Sequence, residues 1–432
     1  MEKIMDTLKK VLMPIANAFS RNRVIQGISN GFTSLLPILL VGSIFSLFSG
    51  MDIGGYQAFI HKNGLYDIFM VVVNMTNNIF AIYVVFAIAY QLAKILDENS
   101  NSMAVGILAL INFMIVTPLV SLKGANGAVT TYVDMTYLGS SGIFVAIIIA
   151  IMTAYIYTIF IKKNITIKLP AEVPEMIEKS FSAIIPYVVV IVLSLIIYVI
   201  FHATSYKSIH GFIYGILGTP LKALQGSVFT WIILSLVASL LWFFGIHGGM
   251  VVIPIMMVLF MQPTMENVAA YAAGKPLPHI ITLGFLNIML LGGIGATLGL
   301  VILMTFFAKS AYFKALGKLA LIPGIFGINE PIMFGMPIVL NPIMFIPFVL
   351  VPVIDTLIVY LSMYSGLVSY PRMAMLSTGT PVFLDAFLQV GVKGIILEIV
   401  LILTNMAIYF PFFKLEDNRH YGEEHSSAVD VK

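Results

Sequence analysis

Residues 141–161, SGIFVAIIIAIMTAYIYTIFI, run on without one charged side chain. A helix that crosses a bilayer needs about 20 apolar residues, and this stretch supplies them. Outward from it the same texture recurs over 25–49, 68–95, 102–120, 180–202, 227–246, 249–262, 281–308, 343–363 and 391–413. The seventh span in chain order, 249–262, is short, while 68–95 and 281–308 are long enough to be tilted or broken. Of the 432 residues, 59% are hydrophobic and only 10% charged, with mean hydropathy +1.01. Soluble domains carry about 25% charged residues. Lipid must therefore be the solvent for part of this chain. The expected fold is an all-α integral membrane protein of about ten transmembrane helices, with re-entrant hairpins and amphipathic surface helices.

Composition also excludes. A net charge of +3 makes no electrostatic case for nucleic acid as a partner. The absence of cysteine removes disulfides, thiolate metal sites and cysteine nucleophiles. No stretch resembles a P-loop, a zinc site or a Ser-His-Asp triad, so neither metal nor cofactor is expected. The start, MEKIMDTLKKVLMPIANAFSRNR, is no secretory signal, because charges interrupt its apolar positions. Ile4, Leu8, Val11, Leu12 and Ile15 recur at helical spacing, with Lys3, Lys9 and Lys10 off that face. That pattern suits a helix on the membrane surface or one packed on the protein's own loops.

Orientation follows from Lys and Arg. Lys9, Lys10, Arg21 and Arg23 precede the first span. Lys162, Lys163, Lys168 and Lys179 follow the fourth, and Lys309, Lys314 and Lys318 follow the eighth. Segment 120–140, with a single Lys and many Gly, Ser and Thr, reads as an external loop. Both termini then lie in the cytoplasm, including a polar tail over 414–432.

Two regions interrupt the pattern. Segment 321–342, LIPGIFGINEPIMFGMPIVLNP, puts four prolines, three glycines and a glutamate into apolar sequence. Segment 365–388, SGLVSYPRMAMLSTGTPVFLDAFL, is similarly broken. Irregular backbone at membrane depth is tolerated only inside protein or against a wet cavity. Both read as re-entrant hairpins, the broken elements from which transporter sites are built. Four acidic residues lie in apolar surroundings: Glu330, Asp355, Asp385 and Glu398. A carboxylate at the bilayer centre costs roughly 2.5–3.5 kcal/mol on insertion scales. Glu330, in Gly327-Ile328-Asn329-Glu330-Pro331, is the functional candidate, since Gly and Pro there prevent regular helix and leave polar groups to meet sugar hydroxyls. Asp355 reads as an ion-pair or hydrogen-bond partner within the bundle, Asp385 as a helix cap and Glu398 as a snorkelling residue near the start of the last span. A second cluster is Trp242 through Gly249, where His247 ends one span and Gly248 and Gly249 let backbone approach a ligand. Trp242 offers an aromatic face to the C–H surface of a sugar. GGIGATLG, 292–299, reads as close helix packing through small residues inside a span.

GIHGG at 245–249 and GINEPIMFGMPIVLNP at 327–342 resemble signatures of enzyme IIC of the lactose/cellobiose/diacetylchitobiose branch of the phosphotransferase system. LPAEVPEMIEKSFSAIIP at 169–186, YLGSSGIFVAI at 137–147 and PLKALQGSVF at 220–229 are similar to that family too. The resemblance implies a homodimer in the bacterial cell membrane, with ten spans and hairpins in the C-terminal half. It implies a disaccharide carried inward and phosphorylated by the phosphocysteine of a separate enzyme IIB, itself charged by enzyme IIA. By motif, Glu330 would hold the hydroxyl that accepts phosphate, and His247 would bind the same end of the sugar. Asn329 and Gly248 would help form the pocket, and Trp242 would be part of its wall. Family members often carry a tryptophan a few residues before the proline of the second hairpin. Here 376–381 has none, so Phe383 or Phe387 would supply that face, and the particular disaccharide stays open. The implied organisation is a scaffold and dimerisation half over 1–202, a substrate-binding half over 203–413 and the tail 414–432. Two rivals are a proton-coupled secondary sugar transporter, in which Glu330 and His247 relay protons, and a channel or structural protein.

Overall fold

A computed structural model describes residues 21–51, 54–98, 100–123, 129–167, 170, 181–336, 338–376 and 379–429. The surface helix expected near the N-terminus lies outside these residues, as does most of 169–186. In chain order the helices are α1 (Arg23–Ser34), α2 (Leu36–Gly50), α3 (Tyr56–Lys62), α4 (Leu65–Thr76), α5 (Phe80–Leu96) and α6 (Ser102–Val116). Strands β1 (Leu119–Lys123) and β2 (Val129–Val133) follow, then α7 (Ile143–Lys162), α8 (Ile184–Ala203), α9 (Ile209–Gln225), α10 (Val228–Phe243) and α11 (Gly248–Ala272). The remainder are α12 (Leu283–Met289), α13 (Leu298–Phe307), α14 (Ala311–Ile325), α15 (Glu330–Gly335), α16 (Pro342–Tyr364), α17 (Leu384–Val390) and α18 (Val392–Val429).

Among the described residues, six stretches are long and apolar enough to cross a membrane: Leu65–Leu96, Ser140–Lys162, Ile184–Ala203, Gly248–Ala272, Pro342–Tyr364 and Val392–His425. A seventh arises if α1 and α2, bent by 44°, form one span. The bend has a local cause, because Pro37 stands at the start of α2 and brings no N–H to the ladder. Three shorter apolar helices are α6, α10 and α13. The all-α expectation needs one correction. Part of the expected external loop is an antiparallel hairpin in which Leu119 pairs with Val133 and Lys123 with Val129. Val and Thr dominate β2, and their branched side chains favour the pleated surface over a helix.

The chain divides into two compact units. One holds Arg21–Leu224 and Met257–Pro276. Its centre is α5, flanked by α1, α6 and α7. Gly27 and Gly31, four residues apart on α1, lie against α5; a Cβ on Gly31 would stand 2.6 Å from Ile88 Cγ1. Small residues allow that backbone approach, as in other membrane helix pairs. The Lys162 ammonium closes the end of α5 by donating to the Leu96 carbonyl at 2.8 Å.

The other unit includes Gln225–Met256 and Leu277–Lys432. Here α13 packs on α14 and α18, α16 packs on α10 and α18, and α17 packs on α18. The expected span 281–308 is broken into α12 and α13. Between them Gly292, Gly293, Gly295 and Ala296 all have positive φ. Residues 292–297 of GGIGATLG are therefore a turn, since only glycine takes such φ values freely, while Gly299 packs as a helix face against Asn405 and Met406 of α18. Glu398 does not snorkel. It is fully buried, and its Oε2 accepts the Phe383 N–H at 2.6 Å where α17 begins. Asp385 lies in the first turn of α17 and accepts the Ala386 N–H. Asp355 is buried and accepts from Asn405 Nδ2 at 3.0 Å.

The tail is helical, because α18 continues to Val429. Its polar end closes the start of α14. Asp417 accepts the N–H groups of Lys309 and Ser310 at 2.8 and 3.0 Å. Glu424 accepts from the Ser310 hydroxyl and the Ala311 and Tyr312 N–H groups. These carboxylates satisfy amides that a helix start leaves unpaired and sit favourably in its dipole. Asp417→Ala is expected to cost about 1–2 kcal/mol, by analogy with lost helix caps. Glu423→Ala, which removes an exposed pair with Arg419 and a longer contact with His420, should stay within about 0.5 kcal/mol. Thermal unfolding of the two variants in detergent, side by side, checks this.

Candidate functional site

The site is built where helices end. After α10, Gly245 has φ +82 and turns the chain, and α11 starts at Gly248. His247 sits between them. The Met250 N–H points at His247 Nδ1 across 3.3 Å, so Nδ1 is the acceptor and Nε2 carries the proton. Nε2 faces Glu330 Oε1 at 3.6 Å. The two side chains are 35% and 45% exposed, so this is a solvent-open pair, not a sealed ion pair.

Glu330 reaches that place through a second break. Gly327 at φ +76 ends the path of α14, and Glu330 opens α15 with Pro331 behind it. Proline suits a first helical turn because its missing N–H would have no partner there. Asn329, 4% exposed, turns inward instead, and its Nδ2 donates to the Ile294 carbonyl at 2.7 Å. The glycine turn between α12 and α13 is thus the floor on which the Asn-Glu pair rests. A Cβ on Gly293 would stand 2.9 Å from both Asn329 Cγ and the Gly327 carbonyl. Tyr409 holds the same turn from α18, donating its hydroxyl to the Gly295 carbonyl at 2.7 Å.

Trp242 is buried and its ring lies 4.5 Å from the His247 ring, tilted by 35°. Phe334 meets Trp242 edge-on at 6.1 Å. Glu330, His247, Trp242 and Asn329 therefore gather in one place from two separate chain segments. Gly248 is buried, and a side chain there would collide with the Ala238 carbonyl, so its smallness lets α11 start against α10. Gly249 is the glycine beside the imidazole, with a built Cβ 3.1 Å from His247 Cε1. Phe383 and Phe387 are 39% and 41% exposed, and no ring contact joins either to Trp242 or His247 among the described residues. The second broken segment does reach the first, since the Val382 N–H donates to the Ile325 carbonyl at 2.9 Å.

Sequence reasoning missed Gly293 and Ile294 as supports of the site. The signal present was three glycines within four residues, 292–295, inside an apolar stretch. A small apolar recess of about 50 Å³ adjoins this floor, lined by Gly249, Gly293 and Ile294 together with Trp231, Met289 and Pro352.

Fold and site together define a polytopic membrane protein with an accessible carboxylate–imidazole pair at the ends of broken helices. Residues 29–352 match the family described as phosphotransferase system, EIIC. Over 434 residues the chain is 33% identical to the PTS system oligo-beta-mannoside-specific EIIC component of Bacillus subtilis (strain 168), covering 98% of this chain and 96% of that one. It is 36% identical over 442 residues to the PTS system cellobiose-specific EIIC component of Geobacillus stearothermophilus, covering 99% and 98%. The crystal structure of the transporter ChbC, the IIC component from the N,N'-diacetylchitobiose-specific phosphotransferase system, matches with TM-score 0.90 at 36% identity, covering 97% of this chain and 99% of that one. The chain belongs to the phosphotransferase system EIIC family. It is a multi-pass membrane sugar permease of that system, a role that implies a sugar substrate and a IIB component as partner.

Proposed function

We propose that the chain carries a disaccharide of the cellobiose, diacetylchitobiose or lactose type and presents one hydroxyl of it to phosphorylated enzyme IIB. The observation that carries this is the solvent-open pair of His247 Nε2 and Glu330 Oε1, 3.6 Å apart. A sugar hydroxyl placed beside both can accept from the imidazole N–H and donate to the carboxylate. A base so placed draws the hydroxyl proton as the oxygen attacks the phosphorus of the phosphocysteine on enzyme IIB, whose P–S bond breaks and leaves the cysteine as thiolate. Phosphoryl transfer depends mainly on positioning and charge handling, and a held hydroxyl supplies the positioning. These residues contain no cysteine to carry a phosphocysteine, which supports enzyme IIB as the phosphate donor. Asn329 positions Glu330 and Trp242 walls the imidazole side. Gly248 contributes backbone at the start of α11, and Phe383 and Phe387 offer aromatic faces for the far ring of the sugar.

The same proposal includes ten spans, both termini in the cytoplasm of a bacterial cell, and a homodimer. In it the hairpins around 321–342 and 365–388 are re-entrant, residues 1–202 are scaffold, residues 203–413 hold sugar and 414–432 face the cytoplasm. Support for the span count is that every expected span coincides with an apolar helix, a bent pair or a broken pair. Support for a helix face open to lipid or a second copy is α8, whose Val188, Val192, Leu195, Val199 and Ile200 are exposed.

Uptake into vesicles separates this from the proton-coupled rival. With phosphorylated enzyme IIB supplied inside, radiolabelled cellobiose should accumulate as sugar phosphate, and an uncoupler should not stop it. Accumulation of free sugar that an uncoupler abolishes would overturn the proposal.

A further inference from the structure

The unit holding Arg21–Leu224 and Met257–Pro276 contains a polar cleft of about 300 Å³ that the acid–imidazole pair does not use. Small-molecule sites typically fall between about 300 and 1,000 Å³. Its lining includes Asn74, Asn77, Asn78, Thr136, Ser140 and Met265, with no charged side chain among the lining residues. Asn77 is 2% exposed, yet neither its Oδ1 nor its Nδ2 has a hydrogen-bond partner. Burying an amide unpaired is costly, and such a group calls for a ligand or solvent that satisfies both its ends. The amide is also held in place. A Cβ on Gly42 would clash with Asn77 Oδ1 and Thr76 Oγ1, so the glycine lets α2 close behind it. Beside it Asn78 Nδ2 donates to Asn74 Oδ1 at 2.7 Å, fixing a second amide pair at the rim. Asp134, two residues before Thr136, is already engaged. Its Oδ1 accepts the Thr136 N–H at 2.9 Å, and that bond holds its carboxyl below the usual carboxylate range.

Height in the membrane follows from α7. Twenty residues of helix rise about 30 Å, the thickness of the hydrocarbon core. Lys162 and Lys163 stand at its C-terminal end, which basic residues assign to the cytoplasm. Ser140 and Thr136 precede its N-terminal end, on the outer side.

We propose that this cleft is a second saccharide site on the outer face, binding the uncharged sugar through paired amides and hydroxyls with methionine against its C–H surface. Amides that donate and accept at once match a ring hydroxyl, which does the same. An uncharged lining selects a neutral polyol over a sugar phosphate. This rests on the reading that the permease carries a disaccharide, and it adds a place of capture distinct from the place of phosphorylation.

The test uses the full chain in lipid nanodiscs and a diazirine-bearing cellobiose, with labelled peptides mapped by mass spectrometry. Labelling is expected in 74–78 or 135–141 as well as in 327–341, and excess cellobiose should compete with both. Asn77→Leu, close in volume but without the amide, should lower labelling of 74–78 and 135–141 about tenfold relative to 327–341 in the same sample, a loss of about 1.4 kcal/mol. Label confined to 327–341 overturns the second site and leaves the proposed function standing. Competable label in neither segment removes both. Label at 74–78 that Asn77→Leu does not change also overturns the site as drawn. The wild-type map decides even where that variant fails to fold.

Discussion

Glu330→Gln should fold like the wild-type protein and lose formation of sugar phosphate by about 10²–10⁴-fold, the range that a positioned proton acceptor contributes. The amide keeps the shape of the carboxylate and can still meet a hydroxyl, so sugar binding should change far less than phosphate transfer. Its inability to take a proton is the change that matters. The fold should not notice, because Glu330 is nearly half exposed and its loss strands no buried charge. The measurement is the rate of sugar phosphate formation from radiolabelled cellobiose with purified phosphorylated enzyme IIB, alongside thermal unfolding of the same preparation. A wild-type rate in the variant would end the assignment of Glu330 as proton acceptor.

Gly293→Ala should weaken sugar binding by about tenfold or more, which is about 1.4 kcal/mol, although residue 293 makes no chemistry of its own. Two costs coincide there. The backbone stands at φ +84, where a Cβ is strained by roughly 1–2 kcal/mol. The new methyl would also press on Asn329 Cγ and the Gly327 carbonyl, both 2.9 Å from it. Relief requires Asn329 to move, and that breaks its bond to the Ile294 carbonyl and releases the residue next to Glu330. Gly274→Ala is the matched control. It has φ +64 with nothing within 4 Å of a built Cβ, so it carries the backbone strain without the crowding. Equal sugar affinity in the two variants would show that the glycine turn does not support the site.

Membrane embedding was legible because it is additive. Each apolar residue contributes to partition wherever it stands, so ten apolar stretches could be marked on the chain without knowing their neighbours. Glu330 and His247 were legible for a related reason, since a titratable group among apolar residues, flanked by glycine and proline, is conspicuous in one dimension. Glu398 shows the limit. Near the start of a span a glutamate can reach the interface or turn inward, and its bonds to the Phe383 N–H, fifteen residues earlier, and to the Asp385 side chain explain why it turns inward. The strands 119–133 were hidden in a similar way, because Thr-rich polar sequence fits a loop as well as a hairpin until two such segments are seen to pair. GGIGATLG has one composition and two uses. Small residues pack helices closely and also turn corners, and the choice depends on Asn329 and Phe348 from distant segments pressing on the turn.

The sequence by itself determined that this chain lives in lipid, where its apolar stretches run and which two side chains are out of place there, because those properties belong to single residues and their near neighbours. Tertiary structure alone decided that the imidazole of one broken segment meets the carboxylate of another across 3.6 Å, that a glycine turn is the floor beneath them, and that an unpaired asparagine faces a cleft in the other unit. Such pairings depend on segments tens of residues apart converging, and convergence is set by packing of the whole chain, which no local pattern encodes.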